Sequence, residues 1–208
     1  MSETDNLIDQ LAQDGAVPPA NALPRFVMPL AGVIALCALG VALALDGAFA
    51  SVQQNGLNGI VVKWGFSLAL LLLSAFALWA IGKPGTRTGG AMVALAVPFA
   101  LVAALLVLDL LVAEAIFPGE TWRECLAAMG IMSPVAFVGA IVATRWLAPT
   151  DLPRAGLAAG LFGGAVAMTA YAPYCTQHGM LYMAVFCCLP ILAMAALGWL
   201  LGPRLLRW

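Results

Sequence analysis

Charge is scarce in this sequence. Asp, Glu, Lys and Arg make up only 9% of the 208 residues, whereas 63% are hydrophobic. A soluble domain needs a polar exterior, and this chain lacks the residues to build one. The formal net charge is −1 and no basic stripe runs along the chain, which excludes direct nucleic-acid binding. No C-x-x-C occurs among the five cysteines, so the dithiol motif of a membrane thiol oxidoreductase is missing. Acidic residues are missing from every helix interior except at Asp109, a poor basis for an ion or proton pathway.

What remains is apolar and continuous. Backbone groups inside a bilayer must be satisfied internally, so the choice is between helices and a closed barrel. The runs are rich in Ala, Leu and Val and show no alternation, which selects helices. Six segments follow: Phe26 to Leu45, Gly59 to Ile81, Gly90 to Val112, Cys125 to Leu147, Ala155 to Tyr171 and Met180 to Leu201. Each is close to the roughly 20 residues that cross hydrocarbon, the fifth being short. Ala48-Phe49-Ala50 resembles a signal-peptide cleavage site, but Glu3, Asp5, Asp9 and Asp14 precede the first run where a signal peptide carries positive charge. The sequence therefore predicts an all-α polytopic membrane protein with a tail and tether over 1–25 and a six-helix domain over 26–208. With the N-terminus inside, Arg25, Lys83, Arg87, Arg145, Arg154, Arg204 and Arg207 fall on the cytoplasmic side, and only Lys63 and Arg123 outside. Seven cations against two predicts that both termini are cytoplasmic.

Cys125 and Cys175 then share the outer end, each at the edge of an apolar run. Thiols there can meet oxidants or soft metal ions, and His178 follows Cys175 by three residues, a spacing that can bring sulfur and nitrogen to one ion. Arg123, two residues from Cys125, would favour the reactive thiolate. A disulfide, a metal bridge and simple apolar packing all remain open for this pair. Cys37, Cys187 and Cys188 lie deeper and read as packing residues; neighbours on a helix point about 100° apart, so Cys187 and Cys188 do not pair with each other. Lys63 and Asp109 lie at matching depths in helices two and three, and are expected to form a structural ion pair. Gly156-x-x-x-Gly160, with Gly163 and Gly164, makes the fifth helix small along one side. Pro98, Pro134 and Pro190 interrupt helices three, four and six. In the tail, Leu7, Ile8 and Leu11 share a helical face among Asp5, Asp9 and Asp14. So short a helix is unstable alone and reads as a segment that orders in a partner's groove.

These residues together resemble the NrsF-type membrane anti-sigma factors. The resemblance is most specific in the last third: Leu147-Ala148-Pro149-Thr150, the run from Arg154 to Leu161, Tyr171 with Cys175, and the ending Leu200-Leu201-Gly202-Pro203-Arg204-Leu205-Leu206-Arg207-Trp208. Lys63 and Asn6-Leu7-Ile8 with Leu11 fit the pattern too. It implies a non-catalytic, multi-pass inner-membrane protein with no required cofactor, embedded in membrane lipid. Such a protein holds an extracytoplasmic-function (ECF) sigma factor until stress releases it. It also implies that Cys125 and Cys175 respond to heavy metals or oxidants, with a transient metal ion at the pair. The family often carries His directly before the second cysteine; here Tyr174 stands there and His178 follows. A small transporter or metal permease is the rival reading.

Overall fold

The computed structural model describes residues 22–45, 47, 57–83, 89–112, 121–147, 149, 151–177 and 179–207. Leu7, Ile8, Leu11 and His178 lie outside them. Six helices are long and apolar enough to cross a membrane, and no strand occurs among the described residues. They are α1 (Ala22–Ala44), α2 (Leu57–Ile81), α3 (Gly89–Val112), α4 (Trp122–Arg145), α5 (Leu152–Tyr171) and α6 (Met180–Leu205).

Several helices start earlier than the apolar runs suggest, because their first turns include residues that are not strongly apolar. Helix α1 begins at Ala22, with Pro24 in a first turn where a missing N–H costs nothing. Helix α5 begins at Leu152 instead of Ala155. The Asp151 side chain accepts a hydrogen bond from the Arg154 backbone N–H at 3.2 Å, and Pro153 occupies the first turn. A 3.0 Å ion pair between Arg154 and Asp151 closes the same turn. The fifth helix is thus a full span.

Helix α5 is also the centre of the molecule. It is buried along most of its length and packs against α1, α2, α4 and α6, while α3 lies at the periphery against α2 and the start of α6. Its small residues explain the position. A Cβ added at Gly156 would collide with the Gly198 carbonyl oxygen of α6, and one at Gly198 with the carbonyl of Gly156. A Cβ at Gly160 would lie 2.7 Å from Ala195 Cα, and one at Gly163 2.6 Å from the Ser133 carbonyl of α4. Two neighbouring backbones therefore approach α5 as closely as glycine allows. The peripheral faces carry large exposed apolar side chains such as Leu43, Phe76, Leu111, Ile131 and Leu200.

The two ends of the bundle differ in chemistry. Phe26 packs against Trp79 with ring centroids 5.2 Å apart, Leu147 fills the space over Gly82, and Gly202 lies against Leu152. These contacts gather the start of α1, the ends of α2, α4 and α6 and the start of α5 at one end, and with them Arg25, Lys83, Arg145, Arg154 and Arg204. Lys63, Arg123, Cys125 and Cys175 lie at the other.

Candidate functional site

The thiol end assembles side chains from α2, α4, α5 and α6. Cys125 sits in the first turn of α4, where its backbone N–H donates to Thr121. Cys175 follows α5 after a short 3-10 turn, Ala172–Tyr174. Both thiols are buried, Cys125 completely and Cys175 to within 2%. They are at the ends of their helices, as the sequence predicts, but α6 and the 3-10 turn cover them. All five cysteines are free thiols, so no disulfide joins the pair.

Lys63 reaches this site. Its ammonium is 4% exposed and donates to the Cys175 carbonyl oxygen at 2.9 Å. No ion pair with Asp109 forms; Asp109 is half-buried on peripheral α3. The physical reason is that a chain leaving a helix presents carbonyls without intrahelical donors, and the partial negative charge there holds a cation. Next to it, the Trp64 indole N–H donates to the Thr169 carbonyl at 3.2 Å, so α2 is tied twice to the end of α5. Arg123 points elsewhere: it is exposed and lies over the Trp122 ring at 5.2 Å. The cation within electrostatic reach of the Cys125 thiol is Lys63.

The start of α6 supplies the remainder. Tyr182 donates its phenolic proton to the Thr121 carbonyl at 3.2 Å. Its ring packs on Phe186 at 4.9 Å, and Phe186 faces Trp122 at 6.1 Å. Between Met183 and Cys188 the helix widens into a π turn. Pro190 has no N–H to offer the Phe186 carbonyl four residues earlier, and the Cys125 thiol donates to that carbonyl at 3.5 Å. Cys187, adjoining Phe186, is buried at 4% exposure. The Cys175 thiol itself turns to the Gln177 carbonyl at 3.9 Å.

The structure thus brings Lys63, Cys125 and Cys175 to one place and leaves Asp109 out. Sequence reasoning missed Tyr182 and Phe186. Pro190 was the available signal, because a proline four residues after a carbonyl withdraws its helical donor. Among the described residues no three His, Cys, Asp or Glu side chains converge as a metal-binding group.

Known proteins place this arrangement in context. The chain matches the family described as "Negative regulator of sigma F" over residues 11–208. It is 32% identical over 216 residues to "Probable anti-sigma-F factor NrsF" of Azospira oryzae, covering 99% of this chain and 100% of that relative. It is 30% identical over 212 residues to "Anti-sigma-F factor NrsF" of Caulobacter vibrioides, covering 99% of each. No solved structure matches it. With the match running through all six helices, the chain belongs to the NrsF family of negative regulators of sigma factors.

Proposed function

We propose that the chain is an inner-membrane anti-sigma factor that holds an ECF sigma factor at its cytoplasmic face and releases it when a soft metal ion or an oxidant reaches the thiols at the opposite end. Full-length family membership is the observation that carries this reading. The tail joins α1 at the end that collects Arg25, Lys83, Arg145, Arg154 and Arg204, the side that the positive-inside bias assigns to the cytoplasm. Leu7, Ile8 and Leu11 would dock in a groove of the sigma factor as one apolar face. Cys125 and Cys175 lie at one end of α4 and α5, so a ligand there can bias the bundle only through its different affinity for two arrangements of those helices.

The test is capture of the tagged full chain from membranes of cells co-expressing ECF sigma factors of its host. One sigma factor should co-purify, and treatment of the membranes with cadmium or peroxide should release it. Membranes that retain no sigma factor would sink the sequestration reading. Retention unaffected by any metal or oxidant, or a metal- or oxidant-triggered release that persists when both Cys125 and Cys175 are replaced by serine, would remove the sensing role alone.

A further inference from the structure

We propose that the wedge between α1 and α4 at the thiol end holds one acyl chain of a phospholipid whose primary-ammonium headgroup pairs with Glu124. The wedge exists because the two helices meet at one depth and part at another. A Cβ added at Gly139 of α4 would lie 2.9 Å from Val33 Cβ of α1, so the helices touch there. Nearer the thiol end the Cys37 thiol approaches the Met132 carbonyl at 4.0 Å. One turn further, nothing lies within 4 Å of a Cβ built on Gly40. From that level outward the walls are small, with Gly40 and Ala44 on α1 and Ala127 and Ala128 on α4, and the cavity measures about 500 Å³. Its lining is apolar except for Glu124 at the mouth.

Length chooses the occupant. Between Val135, at the deep end of the lining, and Glu124 the helix rises about 16 Å, at about 1.5 Å per residue. That is half of a hydrocarbon core about 30 Å thick, one leaflet and no more. A helix from a second copy would need a seam through both leaflets, and the Val33–Gly139 contact blocks it just past the midplane. An acyl chain enters from a single leaflet and ends near that depth. Left unfilled, the wedge would forfeit the dispersion contacts of its lining. Hydrophobicity alone does not draw a chain out of the surrounding lipid, which is equally apolar. Selection therefore falls to the headgroup. Glu124 is exposed and makes no ion pair among the described residues, while its neighbour Arg123 lies over the Trp122 ring. The Glu124 carboxylate accepts charge-assisted hydrogen bonds from a primary ammonium and repels an anionic headgroup. The bound lipid would touch both the helix that follows the tail and the helix whose first turn carries Cys125, a contact that goes beyond the sigma-factor reading and does not depend on it.

The test is native mass spectrometry of the full chain in mild detergent, offered phosphatidylethanolamine, phosphatidylcholine and phosphatidylglycerol with identical acyl chains. One phosphatidylethanolamine should remain bound per chain, favoured about fivefold over phosphatidylglycerol, the upper value for an exposed ion pair. Phosphatidylcholine, whose ammonium has no N–H to donate, should fall between them. Glu124→Gln should erase the order of preference. Gly40→Leu combined with Ala127→Leu fills the wedge at two exposed positions and should remove the bound lipid whatever its headgroup. Monodisperse elution and unchanged helical circular dichroism would show that both variants are folded. Equal lipid retention by the wedge-filled variant would mean that only the general lipid coat is being read, and would overturn the site. A preference for phosphatidylethanolamine that survives Glu124→Gln would overturn the headgroup assignment. A parent that retains no lipid would also overturn the proposal: a dimer that the filled wedge dissociates would make a second copy the occupant, and a monomer would leave the wedge to residues 46–56 of the chain itself.

Discussion

Lys63 is an ammonium ion surrounded by apolar helices, and its survival there depends on a single backbone oxygen. A hydrogen bond to a charged group contributes about 1.5–3 kcal/mol, and the carbonyl of Cys175 supplies it at 2.9 Å. Replacing the residue with an apolar side chain of similar length removes the bond and the desolvation cost together, so total stability should change little. The local effect is different. Lys63→Met should loosen the Cys175 segment and raise N-ethylmaleimide labelling of Cys175 by at least about tenfold, the kinetic equivalent of the low end of that bond energy. Mass-spectrometric labelling rates would check this, and an unchanged rate would mean that the 3-10 turn holds Cys175 without help. The sequence singled out Lys63 because intramembrane charge is costly, but it offered only Asp109 as a partner of opposite sign. A main-chain carbonyl leaves no letter in the sequence. Phe186 was hidden for a similar reason: the carbonyl that meets the Cys125 thiol belongs to a π turn, and residue spacing assumes regular α-helical geometry.

Among the elements, α5 and α6 form the tightest contact, and glycine makes it. The sequence displayed Gly156-x-x-x-Gly160 as a packing face. Its counterpart, Gly198-x-x-x-Gly202 on α6, was equally legible and completes the pair, since Gly156 meets Gly198 and Gly202. What the pattern could not convey is that Gly163 faces α4 at the same time, which makes α5 the centre and not one wall. Gly156→Ala should therefore destabilise the bundle by about 1–3 kcal/mol or more through overpacking against a carbonyl that cannot move aside. Gly32→Ala on α1, with nothing within 4 Å of the added carbon, should instead stabilise it by about 0.5–1 kcal/mol through reduced backbone entropy. Thermal midpoints of the two variants in the same detergent would check the opposite signs. Equal shifts would show that the α5–α6 contact is looser than described. The start of α5 was also legible in Asp151-Leu152-Pro153-Arg154, a cap followed by a first-turn proline, although hydrophobicity alone placed the helix later.

Across the whole molecule, chemistry is separated by length: thiols and Lys63 at one end, six described cations at the other, and a packed α5 between. That filled centre gives the permease reading no polar route among the described residues, and suits a protein that transmits between its ends. Deleting residues 1–14 should leave insertion and purification unchanged but abolish sigma retention, because those residues precede every described helix. Pull-down of the truncated chain would decide it, and full retention would move the binding surface to the loops at the cation end. The central position of α5 has a further consequence for biogenesis. It is the least apolar of the six spans and the most enclosed by protein. Its glycines suit neighbouring helices and give lipid little to hold. As the chain leaves the ribosome, α5 must wait for α6 before its glycine face is covered, so the last helix to be made completes the seat of the one before it. A chain truncated after residue 178 should then expose α5 to degradation, whereas one ending before residue 148 should leave a simpler four-helix product. Pulse-chase turnover of the two fragments would distinguish them, and equal lifetimes would mean that α5 settles in the bilayer without its partner.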